Sequence, residues 1–509
     1  MSARCLRERL LLLGLVGLAF TLRLYRLSYQ SLWRDEVDTL LFATRTLPEL
    51  LATFRKPGEN GPLFFLAMRP WLAAVGQSEF ALRFPSAAAG VLAVPILYQL
   101  ASRLLGKKPA WLTALWAATA PYLVWYGQEA KMYALLVVLV PLALWLTWRV
   151  GHEGRWWQWV LLYLVTTLGF YIHVLTVLVV PLEALWLVIG WIRRPAGRGM
   201  RRQRWLAASV YFAALVLPYL PMAWWQIKLW LSPTFATGHP FVPLPDILAV
   251  LAVAFSRGVI PVREPLTLLP YLLALAAGVW LWSSLAGAEV ASAQQEKGRS
   301  IAWLVSWLLF PPLALYLISL GMPLFTDRYL IWAMPAFLAL TAAGCVALVR
   351  AWWPLGLATV GAILALNLAG VWQQTHQPIK ADFRSAARFV LSHMQPDDLL
   401  IFQIPYNRRV FRYYSSAQFR SLDGPYTNNG LSPAELDARL TEAMDGVVAA
   451  WLIASEVPLW DQRGLTEAWL AAHGVVTDHA EFTRVAVTRY RLREMSVAWP
   501  PDPARGQVP

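Results

Sequence analysis

Eleven apolar stretches, each close to twenty residues long, constrain what this chain can fold into. They lie at about 8–27, 84–105, 109–125, 132–149, 156–172, 174–192, 205–222, 265–285, 301–320, 329–349 and 354–373. A helix needs about 20 apolar residues to cross the ~30 Å hydrocarbon core of a bilayer. The composition agrees, since 58% of the residues are hydrophobic and only 15% are charged. The sequence therefore predicts a polytopic α-helical membrane protein.

Charge is divided unevenly along the chain. Residues 1–375 hold 30 Lys and Arg against 15 Asp and Glu, whereas residues 376–509 hold 14 against 15. The basic excess belongs to the apolar part, where it indicates membrane topology and not nucleic-acid binding. The two cysteines, Cys5 and Cys345, exclude a disulfide scaffold and a cysteine-based metal cluster.

The topology depends on one short segment, Pro62–Gly76, which has 15 residues and is interrupted by Arg69-Pro70. Arginines before the first span predict a cytoplasmic N-terminus and a retained anchor. If Pro62–Gly76 is a juxtamembrane helix, most basic loops, including the run at 193–204, lie in the cytoplasm, as the positive-inside rule requires. The first loop, 28–83, and the tail would then lie outside the cytoplasm of a multi-pass plasma-membrane protein.

The tail, residues 376–509, changes to a mixed pattern. Ser432 followed by Glu435 forms a capping box ahead of a helix. Helices are predicted at 382–394, 432–444 and 465–474, and strands at 397–405 and 446–455. Alternating helices and strands predict a small α/β domain. We therefore expect a transmembrane domain over 1–375 and an extracytoplasmic α/β domain over 376–509.

Two adjacent acids, Asp35 and Glu36, follow the first span. An acceptor hydroxyl has a high pKa, so its attack on a sugar carbon needs a positioned base. A carboxylate in this loop could supply that base. The alternative is an ordinary solvated pair of acids.

A second polar group interrupts the apolar pattern between two spans and contains Gln128, Glu129, Lys131 and Tyr133. Its lysine could hold a phosphate as a point charge. Alternatively, the group is a charged hinge between two helices.

A third group, Asp327, Arg328 and Tyr329, begins a later span. The guanidinium could bind a phosphate in the headgroup layer, although an arginine at this depth often only snorkels. His173 lies at another helix end, where a satisfied interfacial role is the commoner one. Glu183, within a span, is a functional candidate by default, or it satisfies a neighbouring helix.

Together these groups are more informative than any one of them. Asp35 with Glu36, Arg83, Lys131, His173 and Arg328 come from five segments that the predicted topology places on one face. An acid that activates a hydroxyl, with cations that hold a phosphate leaving group, is typical of glycosyl transfer from a lipid phosphate.

The chain resembles the GT-C membrane glycosyltransferases over residues 8–375. It is most similar to the protein O-mannosyltransferase-like group, which includes the aminoarabinose and galacturonic acid transferases of lipopolysaccharide. The resemblance rests on four ordered blocks, Leu32–Glu36, Ser78–Phe84, Tyr126–Tyr133 and Asp327–Leu330 with Pro335 following.

The resemblance implies an inverting transferase that uses a polyprenyl-phosphate-linked sugar in a lipid membrane, with a protein, lipid or glycan acceptor. It gives Asp35 the role of base, with Glu36 beside it. Lys131 stands where the family has arginine, and Asn60 where the family commonly has histidine. A divalent metal is left open, because related oligosaccharyltransferases use one and no cofactor follows from the mannosyltransferase resemblance.

Two other functions fit a polytopic chain: a transporter or flippase of lipid-linked sugar, and a scaffold whose tail binds an envelope partner. Transporters tend to show internal repeats and several intramembrane charges. Here no repeat is evident, and most charges fall at the predicted outer boundary. These features favour the transferase.

Overall fold

The computed structural model describes residues 3–54, 59–192, 198–231, 237–261, 264–284, 291–415 and 417–493. The chain divides into two compact units. The membrane unit comprises Met1–Leu27 and Leu41–Thr375, and the tail unit comprises Ser28–Leu40 and His376–Pro509. Residues 28–40 therefore group with the tail, although they follow the first apolar helix directly in sequence.

The regular elements described in the membrane unit are all helices. Its helices are α1 (Ala3–Leu24), α3 (Leu47–Thr53), α4 (Pro62–Val75), α5 (Glu79–Leu104), α6 (Lys107–Thr119), α7 (Pro121–Gly127), α8 (Tyr133–Glu153), α9 (Trp156–Ile172), α10 (Val179–Ile192), α11 (Arg198–Trp230), α12 (Leu244–Arg257), α13 (Leu269–Ser284), α14 (Ala291–Ser319), α15 (Met334–Ala351) and α16 (Trp353–His376, whose last residue belongs to the tail unit). Three short 3-10 helices accompany them, Val174–Leu178, Pro265–Leu268 and Asp327–Ala333. Helix α2 (Arg34–Thr44) begins among residues of the tail unit and ends among residues of the membrane unit.

Within the described ranges, eight helices are long and apolar enough to cross a membrane, which indicates a multi-pass membrane protein. They are Glu79–Leu104, Tyr133–Glu153, Val174–Ile192, Gly199–Trp224, Pro265–Trp282, Gly298–Ser319, Asp327–Ala351 and Trp353–His376. The number of eleven crossings and their orientation stay predictions. Part of the basic run at 193–204, residues 193–197, lies outside the described residues.

Three predicted spans depart from a single long apolar helix for separate reasons. Helix α1 carries charged residues near both of its ends, so its uninterrupted apolar part is shorter than the predicted span. The stretch 109–125 is divided at Ala120, because the residue before a proline is disfavoured in the helical region and Pro121 starts α7. Helix α9 has 17 residues.

Helix α4 occupies the segment on which the predicted topology depends. It has 14 residues, fewer than the ~20 that a bilayer requires. Its buried Phe65 stacks on Phe54 and meets Phe42 edge to face. The helix therefore packs through its aromatic face, and its place at the membrane surface stays a prediction.

Helices α13 and α15 approach each other closely enough for their backbones to meet at two glycines. A Cβ atom on Gly344 of α15 would overlap the Ala274 carbonyl of α13, and one on Gly278 would overlap the Leu340 carbonyl. Small residues at helix interfaces allow this approach in membranes, where apolar burial alone does not drive association. The two glycines therefore fix the position of α15, which leads directly out of the 3-10 helix Asp327–Ala333.

The tail unit contains a five-stranded sheet in the order β2-β1-β3-β5-β4. Its strands are β1 (Leu399–Phe402), β2 (Arg420–Asp423), β3 (Ala449–Ala454), β4 (Gly474–Phe482) and β5 (Val485–Leu492), and its helices are α17 (Phe383–His393), α18 (Asn407–Tyr414), α19 (Pro433–Ala443) and α20 (Leu465–His473). Strand β1 is parallel to β2 and β3, whereas β5 is antiparallel to β3 and β4. This confirms the predicted small α/β domain.

The tail's local signals hold in part. Ser432 and Glu435 form the predicted capping box of α19. The helix predicted at 465–474 ends at His473, and Gly474 follows as its C-cap, in extended backbone that begins β4. Trp469 and Leu470 of α20 are buried with Leu436 and Leu440 of α19 in the tail's hydrophobic core.

Candidate functional site

Nine polar and aromatic side chains of the membrane unit lie together at helix ends. We call them the tyrosine–cation cluster: Tyr122, Tyr126, Glu129, Lys131, Tyr133, His173, Asp327, Arg328 and Tyr329. They come from α7, the connection to α8, the first residue of α8, the residue after α9 and the 3-10 helix Asp327–Ala333. All but Tyr122 belong to groups that the sequence analysis named, so the structure brings two of those blocks and His173 together.

The middle of the cluster consists of aromatic rings around Arg328. The Arg328 guanidinium carbon lies 5.9 Å from the ring centre of Tyr133. The Tyr133 ring is 5.3 Å from that of Tyr126 and 6.2 Å from that of His173. The His173 ring in turn lies 5.0 Å from that of Tyr329. A tyrosine ring beside a guanidinium attracts it through the negative face of the ring and helps to hold it in place.

His173 is buried and presents one ring nitrogen to the cluster. Its Nδ1 accepts a hydrogen bond of 3.3 Å from the backbone N–H of Leu175, whereas its Nε2 has no partner among the described residues. Burial, followed by the charges of Arg328 and Lys131, lowers the pKa of His173 to about 3. The ring is therefore neutral at physiological pH, and the Nδ1 contact assigns its proton to Nε2. An Nε2–H beside two cations is a suitable donor for an anionic oxygen.

Asp327, a carboxylate, lies beside two tyrosines of the cluster. The Tyr122 hydroxyl donates a hydrogen bond of 3.0 Å to Asp327 Oδ2. Burial, and then the charges of Asp327 and Glu129, raise the pKa of Tyr126 well above its ordinary value. Tyr126 is therefore a neutral hydroxyl.

Lys131 is the second cation. Its Nζ lies 5.5 Å from the ring centre of Phe65 in α4, and its side chain is half-buried. The Ser86 hydroxyl donates a hydrogen bond of 2.9 Å to the Lys131 carbonyl, which fixes the backbone of this residue. A half-buried ammonium on a fixed backbone remains accessible to a ligand.

His239 joins the cluster from a segment that the sequence did not single out. Its ring lies 6.1 Å from that of Tyr329. Burial and then the charge of Arg328 lower the pKa of His239. A lone histidine in the long predicted loop 223–264 carries no local signal, so only the folded chain reveals this neighbour.

Arg83 and Gln128 lie at the end of α1. Arg83 donates a hydrogen bond of 2.8 Å to the Leu27 carbonyl. Gln128 Nε2 donates hydrogen bonds of 3.0 Å to the carbonyls of Arg23 and Tyr25. The last carbonyls of a helix lack partners within it, so Gln128 caps α1 at Arg23, whereas Arg83 binds the turn that follows the helix.

Arg23, which the sequence did not single out, extends from α1 to the end of α6. Its guanidinium is buried and donates to the carbonyls of Ala117 and Ala118 at the end of α6, at 2.9 and 3.2 Å. A Cβ atom on Gly90 would lie 2.5 Å from Arg23 Nε, so this glycine leaves room for the side chain. With Gln128, these contacts fix the segment that carries Glu129 and Lys131.

The structure treats the two acids of the first loop differently. Both lie in the first turn of α2, where consecutive side chains point about 100° apart. Glu36 is fully buried and forms an ion pair of 2.9 Å with Lys380, whereas Asp35 is half-buried. Asp38, one turn further on, pairs with Arg34 and Arg409.

The donor set for a metal ion is poor. Across the described ranges, no group of three or more His, Cys, Asp or Glu side chains is placed to hold a metal ion. Lys380 already occupies the carboxylate of Glu36. The described residues therefore do not fit a metal ion, and we derive no step through one.

Comparisons with known proteins agree with this architecture. Residues 56–225 match the family model described as dolichyl-phosphate-mannose-protein mannosyltransferase. A comparison with curated proteins found no match.

Three solved structures are similar over most of the chain. ArnT from Cupriavidus metallidurans in the apo state is 13% identical with a TM-score of 0.59, covering 96% of this chain and 98% of that chain. The same protein bound to undecaprenyl phosphate is 12% identical with a TM-score of 0.57 and the same coverage. The oligosaccharyltransferase AglB from Archaeoglobus fulgidus, in complex with an inhibitory peptide and a dolichol-phosphate, is 13% identical with a TM-score of 0.52, covering 98% of this chain and 76% of that chain. The chain has the GT-C fold.

Proposed function

We propose that this protein is an integral-membrane glycosyltransferase that moves a sugar from a polyprenyl-phosphate donor to an acceptor hydroxyl. The observation that carries the proposal is the tyrosine–cation cluster, in which Lys131, Arg328 and the Nε2 of His173 are gathered at helix ends of an apolar unit. Two cations beside a neutral donor suit a monoanionic or dianionic phosphate ester. The GT-C fold and the lipid phosphates bound by ArnT and AglB support this donor class.

The reaction assigns one role to each group. Asp35 accepts the proton of the acceptor hydroxyl while the acceptor oxygen forms a bond to the anomeric carbon of the sugar. The bond between that carbon and the phosphate oxygen breaks, and its electron pair stays on the phosphate. The products are a glycoside of inverted configuration and a polyprenyl phosphate.

The cations act on the leaving group. Negative charge grows on the phosphate as its bond to the sugar breaks, so fixed positive charge stabilises the transition state more than the ground state. Lys131 contributes a point charge, and Arg328 contributes a planar fork beside the Tyr133 ring. His173 would donate its Nε2–H to a phosphate oxygen.

Asp35 is preferred to Glu36 as the base. Glu36 is buried against Lys380, so its carboxylate is engaged and shielded from a bulky acceptor. Asp35 points about 100° away around the helix and is half-buried. The family resemblance favours the same assignment.

The test is to supply purified protein in lipid vesicles with synthetic polyprenyl-phosphate sugars, each carrying a labelled mannose, aminoarabinose or galacturonic acid. Protein, lipid and glycan fractions are then assayed for the label. The expected result is transfer from at least one lipid donor into one fraction. Transfer from a nucleotide sugar without polyprenyl phosphate, or movement of intact donor across the bilayer without transfer, would contradict the proposal.

A further inference from the structure

Residues 28–40 are an integral part of the tail unit, and their contacts with the C-terminal chain are extensive. The Gln30 side chain accepts hydrogen bonds from the backbone N–H groups of Ile379 and Lys380, at 3.0 and 3.2 Å, and donates one of 2.8 Å to the Gln377 carbonyl. The Tyr29 hydroxyl donates to the His376 carbonyl at 2.7 Å. These bonds hold the first loop against residues 376–380, where the C-terminal part of the tail unit begins.

Arg384, in the first turn of α17, binds backbone carbonyl groups of the same loop. Its guanidinium donates to the carbonyls of Ser28, Tyr29 and Gln30 at 2.8, 3.3 and 3.3 Å. A rigid planar fork matches three successive carbonyls better than a flexible ammonium would. The backbone leading into α2 is thereby fixed from outside the loop.

Lys380 fixes α2 itself through Glu36. The Glu36 carboxylate is fully buried, the Lys380 side chain is 6% exposed, and Nζ lies 2.9 Å from Oε2. The same Nζ lies 6.0 Å from the ring centre of Trp33. A buried ion pair is poor evidence for stability, because desolvation opposes the Coulombic gain; its best-attested use is to specify one arrangement of the chain.

Asp35 lies between two such attachments. On one side, the Arg34 guanidinium stacks 3.9 Å above the Tyr406 ring of the tail. On the other side, Glu36 is bound to Lys380. Earlier in the loop, the Leu32 N–H donates a hydrogen bond of 2.7 Å to the Tyr414 hydroxyl.

We propose that the C-terminal domain is the device that positions the catalytic loop, with Lys380 and Arg384 as its main positioning residues. This inference rests on the proposed function, since it assumes that Asp35 is the base. A displacement of about 1 Å between reacting groups can cost ~10²-fold in rate. Residues more than 340 positions away in sequence would thus set the rate without touching the substrate.

The experiment compares Lys380→Met, Glu36→Gln and the double variant in the full chain in lipid vesicles. Arg439→Met is the matched control, because it removes an exposed cation from α19 of the same unit. Transfer is measured against lipid-donor concentration at matched membrane abundance. Hydrogen exchange of residues 31–40 is measured on the same samples.

Lys380→Met is expected to lower kcat by about 10- to 100-fold with little change in donor KM, and to speed exchange in residues 31–40. The double variant should lose less activity than Lys380→Met, because it no longer buries an uncompensated carboxylate. Arg439→Met should match the wild type in both measurements. A purely structural role would not give this rescue or this division between kcat and KM.

Two results would overturn the inference. Unchanged exchange in residues 31–40 of Lys380→Met would show that the pair does not hold the loop. Faster exchange with unchanged kcat would show that holding the loop does not matter for transfer. If the wild type itself shows no transfer from lipid donors, the proposed function fails first and the inference falls with it.

Discussion

At the scale of single residues, the structure separates two adjacent carboxylates that spacing alone left equivalent. Glu36 is buried in an ion pair with Lys380, whereas Asp35 is half-buried. The difference arises because a helix turns consecutive side chains about 100° apart, and because the partner of Glu36 is far away in sequence. No local pattern could have identified Lys380.

Asp35→Asn should therefore remove most transfer activity. An amide of nearly the same shape cannot accept the proton of the acceptor, and a positioned base contributes about 10²–10⁴-fold. Product formation at saturating lipid donor and matched protein level measures the loss. Glu36→Gln should lose less, through loosening of its pair with Lys380. Near-normal turnover of Asp35→Asn beside an inactive Glu36→Gln would reverse the assignment.

The two cations of the tyrosine–cation cluster are expected to affect how the enzyme uses its lipid-phosphate donor. Replacing Lys131 or Arg328 by Ala should raise the donor KM, lower kcat, or both, because a hydrogen bond to a charged group contributes roughly 1.5–3 kcal/mol. That range corresponds to about 10- to 150-fold in kcat/KM. Lys108→Ala, at an exposed cation near the start of α6, is the control. An unchanged donor dependence in both cluster variants would leave Lys131 and Arg328 as ordinary interfacial residues.

At the scale of elements, the predictions from sequence succeed where periodicity is strong and fail where the signal is not local. The helices α17, α19 and α20 follow from apolar spacing and from the Ser432 cap. The β4–β5 hairpin was missed, because its connection Thr483-Arg484 lacks the glycine or asparagine that marks most two-residue turns. Arg484 adopts the left-handed backbone itself, with φ of 58°.

The site shows the same division. Charged residues that interrupt an apolar pattern were visible, so Lys131 and Arg328 could be singled out. Arg23 looked like an ordinary charge at the end of a span, and only the folded chain shows it buried on the last carbonyls of α6. Gln128, predicted to bind substrate, caps α1; a substrate role stays a prediction.

The contact between α13 and α15 gives a prediction for an element. Gly344→Ala should lower the thermal stability of the purified protein, because its Cβ atom would overlap the Ala274 carbonyl and force the helices apart. Gly361→Ala is the matched control, since nothing lies within 4 Å of the added atom. It should be neutral or slightly stabilising, as alanine has the higher helix propensity. Equal melting temperatures for both variants would argue against the close approach.

At the scale of the whole molecule, the predicted topology places the tail outside the cytoplasm. The motivation is the positive-inside rule together with helix α4, whose 14 residues are fewer than a crossing needs. Alkaline phosphatase, which is active only outside the cytoplasm, should be active when fused after residue 376. An inactive fusion, with an active cytoplasmic reporter at the same position, would show that the tail is cytoplasmic. Helix α4 would then have to cross the membrane.

The two units combine into one account of function. The membrane unit has the GT-C fold and gathers the cations that suit a lipid phosphate. The tail unit contains the acid that suits a base, on a loop that the C-terminal chain holds in place. A buried pair that fixes a carboxylate-bearing helix suits the proposed transferase, which needs a positioned base.

The most direct test of this account is the stoichiometry of the leaving group. Wild-type protein in vesicles is given a labelled polyprenyl-phosphate sugar and the acceptor found by the donor assay, and free polyprenyl phosphate and glycosylated acceptor are quantified together. The account predicts equimolar release of the two, with both lost in parallel in Asp35→Asn. Glycosylated acceptor without free polyprenyl phosphate, or equal yields from wild type and Asp35→Asn, would contradict it.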